Sequence, residues 1–114
     1  MLRSNVGNGT VNAISPALFM SAPMFCAARF PLGRIAATLN ALARLTQEDI
    51  LLGIARHQSG DWGDISDQDR IANELSVQEG SRVRSCYRSA RGVQFWIETE
   101  ISHSATRVLL PQES

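Results

Sequence analysis

The sequence predicts an α+β fold, with two to three helices packed on a three-stranded antiparallel β-meander. Three observations point there. Apolar residues at 44% and charged residues at 19% of 114 residues are enough for one core. Residues 38–80 carry capping signals and helical apolar spacing. Residues 82–110 change to a period of two, which belongs to strands.

The elements follow in order. Residues 1–28 read as a poorly ordered N-terminal extension and 29–114 as a single domain beginning near Phe30. Asn5, Gly7, Asn8 and Gly9 are loop formers, and Met20 and Met24 are alternative starts. Residues 33–37 read as a short strand or an extended lead-in. Thr38 is an N-cap for a helix over 39–45, with Leu42 and Leu45 on one side. Thr46 caps a second helix, whose first turn, Gln47-Glu48-Asp49, puts acids at the positive end of the dipole. Ile50, Leu51, Ile54 and Ala55 form its apolar stripe, and it should end between His57 and Gly60. Residues 61–64 form a turn. Ser66 with Asp69 predicts a capping box for a third helix. Ile71 and Leu75 should face inward along it, and Gly80 should stop it.

Hairpin register follows from the loop. A three-residue loop, Ala90-Arg91-Gly92, pairs Arg88 with Gln94, Cys86 with Trp96, Arg84 with Glu98 and Arg82 with Glu100. It also pairs Tyr87 with Phe95, Ser85 with Ile97 and Val83 with Thr99, and sets Gly92 at the left-handed position. Loops of two or four residues would mix the faces. A third strand over 105–110 follows a turn at Ser102-His103-Ser104 and ends at Pro111.

Charge is balanced at 11 basic and 11 acidic residues, so a strongly basic nucleic-acid binder is excluded. All 11 basic residues are Arg, which reads first as GC-rich coding bias. The balance hides an asymmetry. Residues 47–80 hold eight acids against Arg56 and Arg70, whereas 81–94 hold Arg82, Arg84, Arg88 and Arg91 and no acid. Cys26 and Cys86 lack metal-ligand spacing and read as reduced thiols in a cytoplasmic protein. The apolar run 13–30 weakly resembles a secretory signal, but Pro16 and Pro23 interrupt it. It is also too short for a membrane span.

Three constellations could carry chemistry. Arg82, Arg84 and Arg88, with Arg91 and Trp96, could bind nucleic acid through phosphate contacts and stacking. The plainer reading is cross-strand ion pairing of Arg84 and Arg82 with Glu98 and Glu100 on a solvent face. His57, Asp61 and Asp64, followed by Asp67 and Asp69, could hold a divalent ion and activate water. Helix capping and turn formation explain the same residues, with His57 a cation at a helix C-terminus. His103 between Ser102 and Ser104 suggests a nucleophile, yet no Gly-x-Ser-x-Gly elbow is present. Cys86 between Arg84 and Arg88 reads as a quiet thiol paired with Trp96. The sequence therefore names no catalytic residue, no metal ligand set and no cofactor.

From Arg29-Phe30-Pro31-Leu32-Gly33 and Ala37-Thr38 onward the chain resembles a family of small bacterial proteins. These are encoded on plasmids and other mobile elements, and some are labelled restriction-subunit proteins. The resemblance is strongest over 55–64, where His57, Gly60, Asp61, Trp62, Gly63 and Asp64 form its turn pattern. It continues through Asp69, Asn73-Glu74-Leu75-Ser76, Gly80, Arg82, Tyr87, Trp96-Ile97, Thr99-Glu100 and Leu109-Leu110-Pro111. It covers about 80 residues, from Arg29 to the C-terminus. The chain departs from the pattern at Ser102-His103-Ser104-Ala105-Thr106 and at Gln112-Glu113-Ser114. The resemblance implies a mobile-element origin, such as a plasmid or gene cassette, and a cytoplasmic bacterial protein. It implies no reaction. The expectation is thus a non-enzymatic accessory protein that binds a protein partner or itself. Nucleic acid is the alternative partner and a His/Asp metal-dependent hydrolase the second alternative. No membrane partner is expected.

Overall fold

The computed structural model describes residues 10–11 and 28–113. Expectations placed on the rest of 1–27, including most of the signal-like run, the alternative starts and Cys26, lie outside the described residues. The elements are β1 (Thr10–Val11), β2 (Arg34–Thr38), α1 (Leu39–Arg44), α2 (Gln47–Ser59), α3 (Asp67–Glu79), β3 (Val83–Arg88), β4 (Gln94–Thr99) and β5 (Ala105–Leu109). Short 3-10 turns cover Ile101–His103 and Pro111–Glu113. The class is α+β, as the periodicity indicates.

The hairpin has the expected register, from Val83↔Thr99 to Arg88↔Gln94, and Gly92 takes φ 87° in its loop. The sheet is larger than the expected meander. Its order is β1-β2-β5-β4-β3, and β2 joins β5 in parallel, Arg34↔Ala105 to Ala37↔Val108. Strand β5, with Val108 and Leu109 fully buried, is therefore internal. Left as the edge of a meander, those residues would face water beside unpaired backbone groups. Periodicity marks 33–37 as extended but cannot name a partner strand so distant in the chain.

The helices follow their caps. Thr38 accepts from the Ala41 amide (3.0 Å) to start α1. Thr46 and Asp49 exchange side-chain and backbone hydrogen bonds, both 3.0 Å, to start α2. The reciprocal capping box therefore sits here. At Ser66 only one half is made, from the Asp69 amide. Ile50, Gly53, Ile54 and His57 line the buried side of α2. A Cβ on Gly53 would lie 2.9 Å from the Phe95 ring, so glycine lets the helix approach β4.

Helix α3 contradicts its expected orientation. Ile71 and Leu75 are 63% and 53% exposed, and Asn73 is the buried residue. The cause is where α3 docks. It lies along the free edge of β3, and the Asn73 amide replaces a neighbouring strand. Its Nδ2 donates to the Arg84 carbonyl (2.8 Å) and its Oδ1 accepts from the Arg84 amide (3.2 Å). At 3.6 residues per turn, aiming residue 73 at the sheet turns 71 and 75 away from it. The next free edge residue, Cys86, is paired by 62–64: its amide donates to the Trp62 carbonyl and its carbonyl accepts from the Asp64 amide. The edge is thereby paired at Arg84 and Cys86. Among the described residues, no helix is long and apolar enough to cross a membrane.

Candidate functional site

The turn at 60–64 joins α2 to the edge of β3. Arg56 forks onto the Asp61 carboxylate (2.8 and 3.2 Å), holding that carboxyl below its usual range. The Tyr87 hydroxyl donates to the Asp61 carbonyl (2.5 Å), and the Arg56 guanidinium stacks 4.5 Å from the Tyr87 ring. Trp62 is buried, and its indole N–H donates to Glu74 (3.0 Å). Arg29 forks onto the same carboxylate (2.7 and 3.0 Å) and, together with the indole, lowers the Glu74 pKa to about 2. Gly63 has φ 76°, and a Cβ there would lie 2.0 Å from the Cys86 carbonyl oxygen. No L side chain fits that approach. Gly60 closes α2 in the left-handed conformation.

His57 is fully buried, not a cation at a helix end. Its Nδ1 lies 2.5 Å from Ser85 Oγ and its Nε2 lies 2.8 Å from Thr99 Oγ1. Thr99 Oγ1 lies 2.8 Å from Thr106 Oγ1, which donates to the Leu32 carbonyl (2.7 Å). A hydroxyl has one hydrogen to donate, so the directions are fixed. Thr106 spends its hydrogen on the carbonyl and accepts from Thr99. Thr99 then accepts from His57, so Nε2 carries the proton. The bare Nδ1 accepts from Ser85. The ring is edge-on to Phe30 (5.3 Å) and Trp62 (5.8 Å). Burial and then the nearby His103 push the His57 pKa down to about 3, so the ring is neutral.

His57, Asp61 and Asp64 are therefore not convergent ligands. His57 points into the core, Asp61 is bound to Arg56, and Asp64 uses its backbone on Cys86. Among the described residues, no group of three or more His, Cys, Asp or Glu side chains is placed to hold a metal ion. The Ser85–His57 pair has the spacing of a nucleophile and its base. Both residues are wholly enclosed, with no route for a substrate. His103 is also largely buried. Its Nε2 donates to the Ser81 carbonyl (3.2 Å), while Ser102 stands exposed in the turn.

The Arg/Trp sheet face is partly committed to itself. Arg84 meets the Glu98 carboxylate at Oε2 and stacks 4.3 Å from the Trp96 ring. Arg107 reaches Oε1 of the same carboxylate (3.3 Å). Glu98 is thus enclosed, with 7% of its side chain exposed, rather than lying on a solvent face. Among the described residues, no ion pair joins Arg82 to Glu100. Arg88 has one long contact to the Gly92 carbonyl (3.4 Å). Cys86 is a free buried thiol, and Gln94 donates to its sulfur (3.1 Å).

The feature that sequence reasoning placed wrongly is the outer face of α3. Ile71 and Leu75 form an exposed apolar ridge one turn long. Asp67, 98% exposed, stands at one end and Glu79 at the other. The signal was Asn73 midway between them, a buried side chain that can pair both groups of a strand. The Ser85–His57–Thr99 chain had a signal too: a Ser and a Thr on the apolar face of the hairpin, opposite a His on the α2 stripe. Scans of the chain against protein-family models, curated proteins and solved structures find no match.

Proposed function

We propose that this protein is a non-enzymatic accessory protein that binds a protein partner on the outer face of α3. The observation that carries the reading is the Ile71–Leu75 ridge, left in water by a helix whose docking uses only its other side. Exposed large apolar side chains in register on one helix face favour an apolar partner surface. The flanking Asp67 and Glu79 favour a partner with a basic rim. They disfavour self-association through this helix. A two-fold axis at residue 73 would place Asp67 against Glu79 of the other copy, like charge against like. The resemblance to plasmid- and cassette-borne proteins supports the accessory role. The nucleic-acid reading loses support because Arg84, central to it, is held by Glu98 and Trp96.

The test is capture from nuclease-treated bacterial lysate by the wild-type protein and by an Ile71→Glu, Leu75→Glu variant. A discrete protein retained by the first and lost by the second is expected. Equal retention by both, or loss on nuclease treatment, overturns the reading. Sedimentation should show a monomer across the working concentration range.

A further inference from the structure

The arginines of this chain divide by partner. Arg29, Arg56, Arg84 and Arg107 each hold a carboxylate closely, on Glu74, Asp61 and Glu98. Among the described residues, Arg44 and Arg91 hold none. Both are exposed, and neither side chain donates a hydrogen bond to a described residue. Yet they come together. Arg44 ends α1, Arg91 sits in the β3–β4 loop, and both line one cleft of about 450 Å³. Its apolar surface comes from half-buried Val93 and Pro111, and Gln94 and Gln112 add neutral amides. Among the described residues that line it, none is acidic. Asp49, which feels the charge of Arg91, is already bound to the Thr46 and Ala90 amides.

Two other clefts among the described residues lack this combination. The one between α2 and the hairpin, about 250 Å³, holds Arg56 but also its competing acid Asp49. The one beside α3, about 220 Å³, holds Arg82 but also Asp69 and the already paired Arg84.

We infer that the Arg44–Arg91 cleft binds a small phosphate monoester, with its dianionic head between the two guanidinium groups and its organic group on Val93 and Pro111. Guanidinium is planar and matches phosphate oxygens in pairs, and two of them suit a doubly charged head. The volume lies within the usual range for small-molecule sites. Positive charge alone at a helix end or hairpin tip would be ordinary. Two cations that hold no carboxylate directly among the described residues leave room and charge for a ligand. This site is independent of the α3 ridge.

Phenyl phosphate is the probe, titrated calorimetrically at low salt against wild type, Arg44→Gln, Arg91→Gln and the double variant. All the changed side chains are exposed, and unchanged thermal midpoints verify folding. Saturable binding is expected, weakened about tenfold or more by each substitution. Arg34→Gln, on a different strand, should leave it unaltered. Benzoate, with one charge, and inorganic phosphate, with no organic group, should both bind more weakly than phenyl phosphate. No saturable heat, or equal affinity in the double variant, overturns the site. Equal affinity for inorganic phosphate overturns the monoester assignment.

Discussion

Two polar clusters lie on opposite faces of the β3–β4 hairpin, and they tolerate burial in different ways. Under α2, Ser85, His57, Thr99 and Thr106 form a neutral chain in which each hydrogen has one place to go. On the other face, the Glu98 carboxylate lies between Arg84 and Arg107. The neighbours Ser85 and Arg84 belong to different clusters because strand side chains alternate. The first cluster depends on shape and protonation. The second depends on charge, and its arginines are 40% and 43% exposed, so they can return to water when the partner is lost. A neutral interior network is therefore the brittle one, and the ionic network the forgiving one.

The hardest way to break this contrast is to remove the hub of the neutral chain. His57→Ala leaves a cavity in the core and strands the Ser85 and Thr99 hydroxyls. It should cost about 3–5 kcal/mol in urea unfolding. If Glu98→Ala destabilises as much, the contrast fails.

Acid tests the same cluster without mutation. His57 has a folded pKa of about 3 against about 6.5 when unfolded. Below pH 6.5 the unfolded chain takes up a proton that the folded one refuses, so stability falls as pH drops from 6.5 toward 3. The slope is about 1.4 kcal/mol per pH unit, or roughly 2–3 kcal/mol by pH 4.5. The groups facing the ring are Phe30, Trp62, Ser85 and Thr99, and His103 acts electrostatically in the same direction as burial. Glu74, lowered to about 2 by Arg29, contributes stability that is lost only below its ordinary carboxylate range. Midpoints between pH 7.5 and 4.5 therefore report His57, and a flat profile there would contradict a buried neutral ring.

Much of this architecture is legible in the sequence. The hairpin register follows from Gly92 and a loop length that keeps the apolar face whole, and the pairing Val83↔Thr99 to Arg88↔Gln94 is found. Caps at Thr38, Thr46 and Ser66 place the starts of the three described helices. What is not legible is non-local. The parallel pairing of β2 with β5 leaves no local trace. The rotation of α3 depends on Asn73 meeting the Arg84 backbone, which outweighs the burial that Ile71 and Leu75 would gain inward. His57 reads as a surface residue because its two hydroxyl partners lie on other elements.

A smaller effect sharpens the ionic side of the contrast. Glu98→Gln keeps the shape and removes the charge. Because Arg84 and Arg107 can rehydrate, it should cost only about 1–2 kcal/mol. Part of that loss should vanish in 1 M salt, where the Debye length falls to about 3 Å. Ser85→Ala, in the neutral chain, should show no such salt response. A salt-independent Glu98→Gln penalty would mean that packing, not charge, holds the carboxylate.

The smallest expected effect concerns the helix that touches neither cluster with its outer side. Ile71→Glu with Leu75→Glu changes two exposed residues on a face that makes no contact with the core. Glutamate is at least as good a helix former as isoleucine, and both sites see water already. Like charges at i,i+4 along 67, 71, 75 and 79 cost a few tenths of a kcal/mol each, so the unfolding midpoint should stay within about 1 kcal/mol, and the acid slope set by His57 should be unchanged. A clear destabilisation would mean that the ridge is packed in solution and that α3 is not the free surface it forms here. An unchanged midpoint with partner capture lost separates the roles of the two sides of α3. The Asn73 side would hold the sheet edge, and the Ile71–Leu75 side would have no part in folding the chain that carries it.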